Sequence, residues 1–97
     1  MITADVLVVG TGAAGLFTAL NLPEQYRVLT ITKSKADEAD SFLAQGGMCM
    51  LLDDEDYDSY FEDTMRAGHY ENNKESVDIM LRSSQHIVDQ LVAYGVD

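Results

Sequence analysis

The stretch Asp5-Val6-Leu7-Val8-Val9-Gly10-Thr11-Gly12-Ala13-Ala14-Gly15 decides how this chain is read. Its opening is a short apolar run rich in β-branched residues, without alternation, which suits a strand buried on both faces of a parallel sheet. The run halts at Gly10-x-Gly12-x-x-Gly15. From Ala13 to Leu22 the chain reads as a helix, with Leu16, Ala19, Leu20 and Leu22 available for an apolar face. Pro23 ends it, because the residue before a proline is pushed out of the helical region. Arg27 to Thr32 is a second strand rich in β-branched residues. Strand, glycine turn, helix and strand within about 30 residues make a βαβ unit.

The order matters more than the glycines themselves. A Gly-x-Gly-x-x-Gly triplet gains meaning when it follows a buried strand and opens a helix. Gly10 permits the sharp turn, Gly12 lets a pyrophosphate approach the backbone, and Gly15 lets helix and strand pack closely. The helix N-terminus then offers unpaired N–H groups and partial positive charge to phosphates. The expected fold class is therefore α/β, a Rossmann-like dinucleotide-binding unit followed by helices. An NAD site of this kind wants an acid about 20 residues on, for the ribose hydroxyl. Thr32-Lys33 stands there instead, and the turn alone leaves the nucleotide open.

Working outward, 97 residues allow one small domain or a piece of a larger one. The hydrophobic fraction of 46% is that of a globular protein. The formal charge of −11, from 17 acids and 6 bases, argues against nucleic acid or anionic lipid as a partner. Residues 1–36 carry Asp5 and Glu24 against Arg27, Lys33 and Lys35, a net of +1, so nearly all the acid lies downstream. No run approaches the ~18 apolar residues that span a bilayer. The N-terminus has no basic residue ahead of its apolar run, unlike a secretory signal. With Cys49 as its only cysteine, the chain fits a reducing compartment, and a cytoplasmic protein is expected.

The remaining elements are read more coarsely. Residues 33–47 look like a loop, and Met48 to Leu52 like a short apolar strand. A helix is predicted from Tyr57 to Ala67, with Gly68 placed to cap it. Asn72 with Glu75 resembles a capping box ahead of a longer helix, Lys74 to Tyr94. Val77, Leu81, Ser84, Val88 and Leu91 form its core stripe, and Gly95 follows as a stop. Asp54, Asp56 and Asp58 alternate as in a calcium loop. Ser59 replaces the required glycine, however, and Met65 stands where the bidentate glutamate belongs. His69 and His86 have no ligand-spaced partner, so no metal site is expected. Cys49, between two methionines, reads as a small core residue.

A second motif narrows the reading. Ser41-Phe42-Leu43-Ala44-Gln45-Gly46-Gly47 resembles the flavin-contacting segment of the fumarate reductase and succinate dehydrogenase flavoprotein superfamily. With the glycine turn, Thr32-Lys33 and Glu62-Asp63-Thr64-Met65-Arg66-Ala67-Gly68 in matching order, the chain looks most like the front of the L-aspartate oxidase branch. The resemblance implies FAD. Gly10, Thr11, Gly12, Ala13, Ala14 and Gly15 would hold its pyrophosphate, Thr32 and Lys33 would replace the ribose-binding acid, and residues 40–47 would run along the flavin. Gly46 and Gly47 suit that role, because their backbone N–H groups can approach the ring edge. Asp40 stands where covalent members of the superfamily carry a histidine, so the implied FAD is non-covalent. An ionised Asp40 cannot donate a hydrogen bond and repels a nearby phosphate.

The resemblance further implies a larger FAD-binding domain of which residues 1–97 are the N-terminal part. The substrate would be a small dicarboxylate, L-aspartate or fumarate, bound by residues beyond this segment, and the reaction would serve NAD synthesis. The isolated chain is accordingly expected to be inactive and to hold FAD weakly. A soluble fumarate reductase-like flavoprotein and a non-catalytic polypeptide without FAD are the competing readings.

Overall fold

The apolar run after Asp5 folds as strand β1 (Val6–Val9), and the glycine turn delivers the chain into helix α1 (Ala13–Asn21) and then strand β2 (Val28–Ile31). The computed structural model describes residues 1–97, which divide into two units, Met1–Gly46 and Gly47–Asp97.

In the first unit β1 and β2 pair in parallel, Val6 opposite Val28 through Val9 opposite Ile31. A polar clamp sets that register at its open end. The Asp5 carboxylate accepts the Arg27 backbone N–H at 2.8 Å and the guanidinium at 3.1 and 3.2 Å. Those bonds, the guanidinium first, hold the Asp5 carboxyl below the usual carboxylate range. Helix α1 packs on both strands, and Leu22 turns extended ahead of Pro23, as the proline rule requires.

Burial departs from expectation in two places. The sheet is covered on one side only: Val8 is buried, whereas Val9 is 76% exposed and Leu7 is exposed as well. On α1 Gly15, Phe17 and Ala19 are half-buried, as is Leu22 just past its end, while Leu16 and Leu20 face outward. Gly15 decides this. A Cβ there would stand 2.2 Å from the Gly10 carbonyl oxygen, so helix and turn touch along the glycine face. Ala19, four positions on, then shares that face.

The segment read as a loop after β2 contains a 3₁₀ turn, Ala36–Glu38, and a one-turn helix α2 (Asp40–Leu43).

The second unit is a helical pair. Met48 to Leu52 is not a strand. Leu51 is buried among the helices instead, and its N–H donates to Ser84 Oγ at 3.0 Å. The carbonyls of Leu51 and Leu52 accept the Gln85 amide at 3.0 and 2.9 Å. Those backbone groups of Leu51 and Leu52 are thus met by side chains of the helix and not by a neighbouring strand. The Asp53 carboxylate caps a 3₁₀ turn, Asp54–Asp56, which leads into α3 (Tyr57–Ala67) at the expected residues.

Gly68 closes α3 with right-handed backbone (φ −87°), and the left-handed residues that reverse the chain are His69 (φ 54°) and Tyr70 (φ 61°). The cap of α4 (Lys74–Ala93) is Asn73, whose side chain accepts Ser76 N–H at 2.9 Å. Asn72 instead donates to the Thr64 carbonyl at 3.2 Å, fastening the end of α3. The capping box thus belongs one residue later and lacks its glutamate. Leu51, Met65, Val77 and Leu81 form the core, with Tyr57, Tyr60 and Phe61 packed against it. Ser84 is buried on the same stripe, and Val88 and Leu91 are half-buried. Cys49 is exposed, contrary to the core reading. Gly95 (φ 98°) ends α4 where the stop was expected.

Candidate cofactor site

A cleft of about 650 Å³ lies at the carboxyl ends of β1 and β2, beside the N-terminus of α1. Ligands of open α/β sheets bind at this end of the strands. The glycine turn makes one wall. Gly10, at φ 111°, takes a backbone conformation that side chains rarely allow, and its N–H donates to the Ile31 carbonyl at 2.7 Å. Thr11 and Gly12 continue that wall, Thr32, Lys33 and Ser34 form the second, and Glu38 to Ser41 fold back as the third.

The chemistry of this cleft is that of an anion-accepting helix end. Gly12 has no side chain with which to cap α1, and the first turn carries no acid. Ala13 N–H instead finds an acceptor 28 residues away, Ser41 Oγ at 3.0 Å. Thr11 Oγ1 is buried with no hydrogen-bond partner, and a buried hydroxyl of this kind calls for a ligand group or water. Lys33 is the cation of the lining, and Glu38 and Asp40 are its carboxylates.

Of the residues singled out in the sequence, Gly10, Thr11, Gly12, Thr32, Lys33, Asp40 and Ser41 line this one cleft. Ala13, Ala14 and Gly15 form the first turn of α1 behind it. Phe42, Leu43, Ala44, Gln45, Gly46 and Gly47 are outside the lining and exposed. Ser34 and Glu38 escaped the sequence reading. The only signal for Ser34 was its place after Thr32-Lys33, and Glu38 gave none.

These residues fit a dinucleotide, with its phosphates against the helix end and the unpartnered hydroxyl. The family described as FAD binding domain matches residues 5–97. The chain belongs to that family. FAD is therefore its cofactor.

Three curated proteins are similar to the chain along nearly its whole length. L-aspartate oxidase of Clostridium acetobutylicum is 45% identical over 95 residues, covering 98% of this chain and 22% of that protein. The L-aspartate oxidase of Clostridium perfringens is 40% identical, covering 97% and 21%. That of Pseudomonas aeruginosa is 39% identical, covering 95% and 17%. The chain thus spans about a fifth of the length of the relatives it matches. No solved structure matches it. No helix is long and apolar enough to cross a membrane.

The second unit carries its own polar cluster, on a recess of about 330 Å³ lined by Leu51, Asp54, Tyr57, Arg82 and Gln85. Tyr57 donates its hydroxyl to Asp78, and Arg82 bonds the same carboxylate at 2.8 Å while lying 4.3 Å over the Tyr57 ring. The shared hydrogen bond raises the Tyr57 phenol and lowers the Asp78 carboxyl. These groups satisfy one another and tie α3 to α4.

Proposed function

We propose that residues 1–97 are the N-terminal, Rossmann-like part of the FAD-binding domain of an L-aspartate oxidase, with FAD held non-covalently. The observation that carries this reading is the N-terminus of α1, which its cap residue Gly12 leaves without a side-chain cap, facing a cleft with an unpartnered Thr11 hydroxyl. Similarity to L-aspartate oxidases along nearly the whole chain supports the substrate class.

In the complete enzyme, bound FAD supplies a two-electron acceptor for the oxidation of L-aspartate to iminoaspartate, which feeds NAD synthesis. This chain's part is binding and orientation. The N–H groups of α1 and the Thr11 hydroxyl hold phosphate, and Thr32 and Lys33 hold the adjoining ribose. Asp40 offers no nucleophile of the histidine kind for a covalent link to the cofactor. The stretch Ala44-Gln45-Gly46-Gly47 brings backbone donors to the flavin edge. The residues that bind dicarboxylate and move protons lie outside this segment, and the chain alone does not turn over aspartate.

Isothermal titration of the purified chain with FAD and with ADP tests the reading. One FAD is expected per chain, weakly held and displaced by ADP, which shares the pyrophosphate. Failure of both ligands to bind, or FAD binding that ADP leaves untouched, overturns it. Aspartate-dependent turnover by the chain overturns the placement of the substrate groups elsewhere.

A further inference from the structure

We infer that Gln85, with Ser84, is a positioning residue for the flavin. From helix α4 it pins the backbone that leaves the Ala44–Gly47 stretch, and so restricts how Gly46 and Gly47 meet the ring. This rests on the cofactor reading above. The stretch has little of its own to hold it. Residues 44–49 are exposed, and the backbone of residues 44–50 enters no hydrogen bond within the chain. A Cβ at Gly46 or Gly47 would meet nothing within 4 Å. Its order must come from its two ends.

The trailing end is pinned at Leu51, inside the second unit, which begins at Gly47. Leu51 N–H donates to Ser84 Oγ at 3.0 Å, and the carbonyls of Leu51 and Leu52 accept the Gln85 amide at 3.0 and 2.9 Å. Ser84 gives its own proton to the Leu81 carbonyl at 2.6 Å, which leaves an oxygen lone pair for Leu51. Ser84 and the Leu51 side chain are both buried, so water does not compete for that N–H. Burial alone would fix where Leu51 lies. Three bonds to two successive residues also fix the direction in which the chain approaches it.

Gly47 stands four residues before Leu51, a reach of roughly 14 Å at full extension. With the pin in place, the directions open to the Gly46 and Gly47 N–H groups are restricted before any ligand arrives. Without it, the next hydrogen-bonded structure is the turn at Asp54–Asp56 that Asp53 caps. The restriction missing from the free chain must then be supplied on binding, at the expense of affinity for the flavin. ADP shares the pyrophosphate and lacks the flavin, so its binding does not sense the pin.

Titration of the wild-type chain, Gln85→Met, Ser84→Ala and Asn73→Ala with FAD and ADP, together with NMR order parameters of the free chains, tests this. Methionine keeps the length of the glutamine and removes both donors without adding charge. In Gln85→Met the Gly46 and Gly47 amides lose order. FAD binds roughly 5- to 30-fold more weakly, the equivalent of fixing one more backbone residue on binding, while ADP binds as it does to the wild type. Ser84→Ala acts in the same direction. Asn73→Ala weakens α4 through its cap and leaves the pin intact, so it keeps the wild-type ratio of FAD to ADP affinity. An unchanged ratio in Gln85→Met, equal weakening of both ligands, or an equal shift of the ratio in Asn73→Ala overturns the inference and leaves the cofactor reading standing. A wild-type chain that binds neither ligand overturns both.

Discussion

Adding one methyl group at Gly15 drives a carbon into backbone. The new Cβ would lie 2.2 Å from the Gly10 carbonyl oxygen, 3.1 Å from its carbon and 3.5 Å from Val8 Cγ1. Ordinary contact needs about 3.4 Å, so α1 and the turn must separate by roughly 1 Å, and neither neighbour is a flexible side-chain end. Overpacking of this kind costs about 1–3 kcal/mol, and backbone resistance places Gly15→Ala at the upper end. For a domain of this size, 2–3 kcal/mol corresponds to a melting temperature lower by roughly 10–20 °C. The same movement draws the helix N-terminus off the cleft, so ADP affinity falls with it. Gly46→Ala and Gly47→Ala are the controls. A Cβ at either meets nothing within 4 Å, so both should melt within a few degrees of the wild type and bind ADP normally. Circular dichroism melts and ADP titrations of the three variants decide the matter. Gly15→Ala melting like the controls and binding ADP like the wild type would refute the close-approach argument.

Other perturbations read different parts of the chain. Leu81→Ala empties the one fully buried large side chain and should cost about 2–5 kcal/mol in urea unfolding. His69→Gly relieves a left-handed residue and should stabilise by about 1 kcal/mol after the entropy of glycine is counted; a lower urea midpoint would contradict it. Asp5→Asn removes a carboxylate whose folded pKa is depressed by Arg27. That contribution is present above the unfolded pKa and lost as pH falls below about 4. The wild type should therefore exceed Asp5→Asn in urea midpoint at pH 7, with the gap narrowing as pH falls below the ordinary carboxylate range. A gap that holds constant across that range would contradict the linkage.

What could be read in the sequence depended on whether the deciding interaction was local. The β1–α1–β2 order and the bounds of α3 were legible, because apolar runs, glycines and Pro23 act on their immediate neighbours. The face of α1 was not, since a pattern that counts apolar side chains gives weight to Leu16 and Leu20 and none to Gly15. Yet it is the missing side chain at Gly15 that lets the helix approach. The Met48–Leu52 run carried no periodicity able to separate a strand from an extended tether. Its conformation is set by Ser84 and Gln85, more than 30 residues on. Asn72 and Asn73 are chemically identical neighbours, so only the register of the turn decides which one caps α4. Helix α2 is too short for any pattern, and its tie to the rest is a single hydrogen bond across 28 residues.

The distribution of charge changes meaning once the chain is folded. Along the sequence, Glu38 and Asp40 belong to the acidic remainder, apart from a nearly neutral opening segment. In the fold they return to the cleft, so that its lining holds two carboxylates against Lys33. Cations therefore do not dominate anion binding here. Under the proposed reading, the helix N–H groups and the Thr11 hydroxyl would supply it as uncharged donors at one end of the cleft. The carboxylates suit a different part of the ligand, because an ionised carboxylate only accepts hydrogen bonds. A bare phosphate gains nothing from them and is repelled. A ligand that carries phosphate at one point and several hydroxyls beyond it uses both ends of the cleft. FAD, with its ribose and its polyhydroxylated chain on either side of a pyrophosphate, has that shape. Under the proposed cofactor reading, the acids at 38 and 40 would disfavour a simple phosphate, while the glycine turn would supply the affinity for the pyrophosphate.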